Sequence, residues 1–138
     1  MMTVAVRYCS KTPAGNTRRI AEAIAEGAGV QAVSIDTEPK LIEKVDYLFL
    51  GGAPYANIMA PELREYAENL NPELIGKVIL FTTSNWSRRT VVALKKILDK
   101  KGIPYEKNYF YAHMLAIEGK TTAAKEFGQN MIKGGNES

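Results

Sequence analysis

The run Tyr8-Cys9-Ser10-Lys11-Thr12-Pro13-Ala14-Gly15-Asn16-Thr17 decides how the rest of the chain is read. Val4, Val6 and Tyr8 form a β-rich run that ends at Cys9-Ser10. From Thr17 to about Gly27, the residues Ile20, Ala23, Ile24 and Ala28 recur at helical spacing. A strand therefore turns through Ser, Thr, Pro, Gly and Asn into a helix. Such a turn gathers hydroxyls and free amide hydrogens at a helix N-terminus, where the dipole favours an anion such as a phosphate. Gly15 lets the backbone approach that group closely. The same residue types also suit an ordinary capped helix.

Outward from this turn, strand and helix patterns alternate. Val30, Val33 and Ile35 suggest a second strand. Pro39 to Lys44 reads as one or two helical turns with Leu41, Ile42 and Val45 facing in. Tyr47-Leu48-Phe49-Leu50 is a continuous apolar run ending in Gly51-Gly52, the pattern of a parallel strand covered on both faces. Pro61 to Leu70 reads as a helix with Pro61 in its first turn. Val78-Ile79-Leu80-Phe81 is another buried strand. Ser87 is a candidate N-cap for a helix running to about Lys101, ended by Gly102, with Leu94, Ile97 and Leu98 as its apolar stripe. Tyr105 to Met114 is strand-like, and Thr121 to Lys133 is a last helix around Ala124, Phe127 and Met131. Five strands alternating with helices indicate an α/β domain with a parallel sheet, and right-handed crossovers place helices on both faces. Residues 1–134 read as one domain and 135–138 as a frayed tail.

Composition narrows the chemistry. The 138 residues are 46% apolar and 24% charged, near the globular average, so disordered and fibrous classes are excluded. Eighteen Lys and Arg against fifteen Asp and Glu give a net charge of +3, too mild to imply a nucleic-acid partner. Cys9 is the one cysteine and His113 the one histidine, which excludes an internal disulfide and a multi-ligand zinc site. No apolar stretch is long enough for a membrane span, and Met1–Arg7 is unlike a signal peptide. A cytoplasmic protein is the expectation.

Ligands of open α/β sheets bind beyond the carboxyl ends of the strands. The loops there are Ser10–Asn16, Gly51–Ala60 and Thr82–Arg89. There is no Gly-x-x-x-x-Gly-Lys-Ser/Thr and no Gly-x-Gly-x-x-Gly after the first strand, which argues against P-loop and dinucleotide sites. Residues 8–17, ending in Gly15-Asn16-Thr17, resemble the phosphate loop of flavodoxins. The stretch Tyr47–Tyr55 resembles that family's third strand and second flavin loop. The resemblance covers nearly the whole chain in element order and length. It implies a flavodoxin-like doubly wound sheet, order 2-1-3-4-5, of the short-chain type, with FMN as cofactor.

The resemblance carries over residue by residue. Gly15, Asn16 and Thr17 match the Gly-Asn-Thr of the family and become its phosphate contacts, with Ser10 and Thr12 as further hydroxyls. Ala14 stands where the family commonly has a hydroxyl residue, and the loop is about two residues longer. Tyr55 becomes a stacking residue, and the backbone of Ala53, Pro54, Ala56 and Asn57 faces the flavin ring. Thr83, Ser84 and Asn85 suit the hydrogen-bonding edge of the ring, and Trp86 is a candidate second wall. The third loop lacks the acidic residue and Tyr that the family often carries there. Arg18-Arg19 and Arg88-Arg89 suggest a basic rim, which would make the flavin potential less negative than in an acidic flavodoxin. Cys9 reads as a buried small residue, and Lys95-Lys96 and Lys100-Lys101 as a solvated helical face.

The expected function is electron transfer between a reductase and an acceptor protein. One alternative is a small FMN-dependent reductase of quinones driven by NADH or NADPH. Another is a flavodoxin-fold interaction module that has lost its flavin.

Overall fold

The computed structural model describes residues 3–10, 15–55, 58–84, 88–113 and 116–136. Five strands, β1 (Val4–Cys9), β2 (Ala32–Ser34), β3 (Val45–Gly52), β4 (Ile75–Ser84) and β5 (Phe110–His113), form one parallel sheet in the order β2-β1-β3-β4-β5. The helices are α1 (Asn16–Ala28), α2 (Pro61–Glu68), α3 (Arg89–Lys101) and α4 (Thr121–Asn136). The expected topology and the two helical layers are both present.

Strand alternation sends side chains to two cores. Ala5, Cys9, Leu48, Leu50, Val78 and Leu80 pack under α2 and α3, against Leu63, Ala67, Leu94 and Leu98. Val6, Phe49, Ile79 and Phe81 face α1 and α4, against Ile20, Ile24 and Ala124. Each of the Val, Leu, Ile and Phe side chains contributes about 1.5–3 kcal/mol through burial, and the alanines less. On the second face the ring of Phe127 packs against Phe110 at 5.4 Å and against Phe49 at 6.2 Å. The two helices of that face touch through glycines. A Cβ at Gly27 would collide with the Lys125 carbonyl oxygen, and one at Gly128 with the Ile24 carbonyl oxygen.

Several local expectations are corrected. Residues 39–44 are irregular, and Ile42 is 82% exposed while Leu41 and Val45 are buried. So short a segment gains little from helix formation, because nucleation is costly. It is instead anchored by Glu38, whose amide donates to the Ser34 carbonyl and whose carboxylate meets the Arg7 guanidinium at 3.0 Å. The β2–β3 connection thus crosses without a helix. Helix α2 stops at Glu68, although Leu70 is still buried, and β4 is longer than its apolar run. Helix α3 begins at Arg89 with Arg88 as its cap residue, and Ser87 lies outside the described residues. Gly102 ends α3 in the left-handed conformation, φ 71°. Helix α4 runs to Asn136.

The segment before β5 is not one strand. Tyr105 makes an isolated bridge to Val78, Lys77 pairs with Glu106 at 3.2 Å, and pairing resumes only at Phe110. Lys95 explains the interruption. Its ammonium lies 5.8 Å and 5.4 Å from the Tyr105 and Tyr109 ring centres and donates to the Lys107 carbonyl at 3.3 Å. Lys95 therefore holds this segment rather than joining a solvated face, whereas Lys96 and Lys100 are exposed.

Candidate functional site at the carboxyl edge of the sheet

The register brings the three middle strands to a common end. Cys9 lies beside Gly52, and Gly52 beside Thr82. Strand β4 continues past that line, so Thr83 and Ser84 project beyond it, with Ser84 beside His113 of β5. The Thr82 hydroxyl donates to the Gly52 carbonyl at 2.7 Å, and the Tyr111 hydroxyl donates to the Ser84 carbonyl at 3.0 Å. These bonds tie the ends of neighbouring strands together.

Glycine allows the close packing of β3. A Cβ on Gly51 would meet the Phe81 carbonyl and ring, and one on Gly52 would lie 2.7 Å from Leu63. The Gly-Gly pair is thus explained by strand and helix contacts.

Helix α1 starts at this edge. Gly15 is its cap residue, in the left-handed conformation at φ 63°, ψ 40°. The Gly15 carbonyl accepts from the Arg19 amide at 2.8 Å, the first bond of the helix. Gly15 has no side chain with which to cap this terminus, and no acidic residue lies in the first turn. Its first amide donors and the positive end of its dipole favour an anion. Ser10 and Asn16 are half-buried at the two ends of the loop, and Thr12 lies outside the described residues.

Thr17 and Thr83 are 3% and 1% exposed, and their hydroxyl oxygens are 2.6 Å apart. The pair fastens the first turn of α1 to the end of β4, so two loops read separately in the sequence share one joint. Two hydroxyls bring two protons and spend one on their mutual bond. The other remains for a further acceptor.

Above β3, Pro54-Tyr55 pairs antiparallel with Ile58-Met59, forming a short hairpin at the same edge. Ala53 and Pro54 are half-buried. Ala56 and Asn57, and Asn85 and Trp86, lie outside the described residues. Ser84 is fully buried.

Arg18 and Arg19 each face a carboxylate. Arg18 meets Glu22, and Arg19 meets Glu118, both at 3.4 Å. Their charge is offset locally, and they flank the edge on the α1 face, while Arg88 and Arg89 belong to the α3 face. Among the described residues no group of three His, Cys, Asp or Glu side chains is placed to hold a metal ion, and no helix is long and apolar enough to cross a membrane.

Sequence reading missed Tyr111. Its distance along the chain from Ser84 hides the contact, and nothing local to the sequence marks it. The Thr17–Thr83 bond was hidden for the same reason.

No family model and no curated protein matches the sequence. Solved structures do match the fold. The flavodoxin of Fusobacterium nucleatum bound to flavin mononucleotide superposes with a TM-score of 0.70 at 16% identity, over 96% of this chain and 98% of that one. The Flv1 flavodiiron core from Synechocystis sp. PCC6803 gives 0.65 at 19% identity, over 96% of this chain and 36% of that one. Rubredoxin oxygen:oxidoreductase from Desulfovibrio gigas gives 0.67 at 15% identity, over 95% and 36%. The chain therefore spans about a third of each of these two larger proteins and the full length of the flavodoxin. Parallel strand order, paired helical layers and these superpositions agree that the chain has the flavodoxin fold.

Proposed function

We propose that this chain binds FMN at the carboxyl edge of its sheet and carries electrons between a reductase and an acceptor protein. The observation that carries the reading is the start of α1: a left-handed Gly15 with no side chain to cap the helix and a first turn free of acidic residues, set at the edge where this fold binds its ligand. The residues fit the group. The amides of Gly15, Asn16 and Thr17 hold the phosphate, with Ser10 and Thr12 adding hydroxyls. The spare proton of the Thr17–Thr83 pair serves the same end of the cofactor. Asn85 faces the polar edge of the ring, with the fully buried Ser84 behind it; Tyr55 and Trp86 stack on the ring, and the backbone of Ala53, Pro54, Ala56 and Asn57 lines its remaining edge. When bound, FMN supplies the redox chemistry, and the protein supplies binding, orientation and electrostatics. The similar proteins support the reading: one is bound to flavin mononucleotide, and two are a flavodiiron core and an oxidoreductase.

The test is an FMN titration of the flavin-free protein, followed by flavin fluorescence. One equivalent of FMN quenched per chain is expected. No binding, with the far-ultraviolet circular dichroism of the fold intact, overturns the proposal. Turnover of a quinone with NADH or NADPH, without added reductase, would replace the carrier reading by that of a small reductase.

A further inference from the structure

A second concavity lies away from the α1 terminus, between α2 and α3. Its volume is about 810 Å³. The floor is apolar, made by Met59, Val92, Ala93 and Ile97, and Val92 is 50% exposed. Among the described residues the walls carry Arg64, Arg88, Arg89, Lys96, Lys100 and Lys101, against one carboxylate, Glu68. A third of the Lys and Arg residues of the chain therefore line this groove.

The charge is arranged along a line. Arg89, Lys96 and Lys100 follow the α3 stripe that borders the groove, and Arg89 to Lys101 spans about 18 Å at the helical rise. Lys96 and Lys100 stand four residues apart, both exposed, a like-charge spacing that weakens an isolated helix. Lys101 donates to the Glu68 carbonyl at 2.8 Å, which joins the ends of the two helices and keeps its own charge. A single phosphate cannot reach both ends of such a line. An extended partner with several anions can, and an apolar floor favours one that also carries aliphatic side chains. Among the described residues no aromatic ring lines the groove, so they offer no stacking platform of the kind single-stranded nucleic acid uses.

We propose that the α2/α3 groove docks an acidic, amphipathic segment of a protein partner. The upper end of the groove is formed by Met59, Arg88 and Arg89, at the ends of the second and third loops of the carboxyl edge. A partner seated there lies alongside that edge. That the partner is a redox partner rests on the FMN reading; that the groove takes an acidic segment does not. Basic side chains on one surface and acidic ones on the other speed encounter and set orientation.

The test uses the full chain and a fluorescein-labelled glutamate–leucine peptide of about twelve residues. A lysine–leucine peptide and an oligothymidylate of similar length are the comparison arms. Two variants with the same change in net charge are compared: K96E/K100E in the groove, and K40E/K44E at exposed positions of the β2–β3 connection. The expected result is anisotropy-detected binding of the acidic peptide only, weakened tenfold or more in K96E/K100E and less than threefold in K40E/K44E. Equal loss in both variants would reduce the effect to net charge and overturn the proposal. So would absence of acidic-peptide binding or tighter binding of the oligothymidylate. FMN titration of the same samples separates the two readings. FMN binding without peptide binding removes the groove and leaves the carrier, and the reverse removes the carrier and leaves the groove.

Discussion

The Thr17 and Thr83 hydroxyls show what one contact does at the edge of this sheet. Each is buried, and one donates to the other at 2.6 Å. Thr83→Val keeps the shape and leaves the Thr17 hydroxyl without that partner, at a cost of about 1–2 kcal/mol. Thr17→Val does the converse. The double variant is expected to lose less than the sum of the two, because neither hydroxyl is then stranded. Urea unfolding of the four proteins measures this coupling, and strict additivity would mean that the two groups do not bond in solution. Arg7 is a second case. It lies buried on a central strand, opposite the carboxylate of Glu38. Nearby, burial raises the Tyr66 phenol above its usual value while the Arg7 charge pulls it down. Gly15-Asn16-Thr17 was legible because its turn chemistry is local. Arg7–Glu38 and Thr17–Thr83 were not, because the partners come from distant parts of the chain.

At the scale of elements, the contact between α1 and α4 sets how closely one helical layer packs. Gly128→Ala adds a methyl group directed at the Ile24 carbonyl. Alanine improves intrinsic helix propensity by about 1 kcal/mol, yet collision with backbone has no cheap relief. The expected net effect is a loss of about 1–3 kcal/mol, as for other overpacked sites. Gly119→Ala is the control, since a Cβ there meets nothing within 4 Å. A rise in the thermal midpoint of Gly128→Ala would show that the helices separate freely. Strand β1 and the four helices were legible from their residue patterns, and β3 and β4 from their continuous apolar runs. The 39–44 segment was misread because Leu41 and Val45 mimic a helical stripe, while the ion pair that fixes it is long-range. The strand-like reading of 105–114 failed because β propensity does not reveal the Lys95 contacts that bend the chain away.

Across the whole molecule, a cofactor held only by the folded state stabilises it by mass action. At a free FMN concentration one hundred times its Kd, the gain is about 2.7 kcal/mol. For a domain of this size that corresponds to a rise of about 10 °C in Tm. Differential scanning fluorimetry with and without FMN measures it, with riboflavin, which lacks the phosphate, expected to give a much smaller shift. Equal shifts from the two would remove the α1 terminus from the site.

The lengths of the strands have a consequence of another kind. The inner strands run to six, eight and ten residues, whereas the outer two, β2 and β5, have three and four. A sheet tapered in this way offers a neighbouring molecule only a brief row of unpaired backbone groups on either flank. Intermolecular strand addition, the first step toward fibrous aggregates, gains few hydrogen bonds there, so the taper itself protects this apolar parallel sheet in a crowded solution.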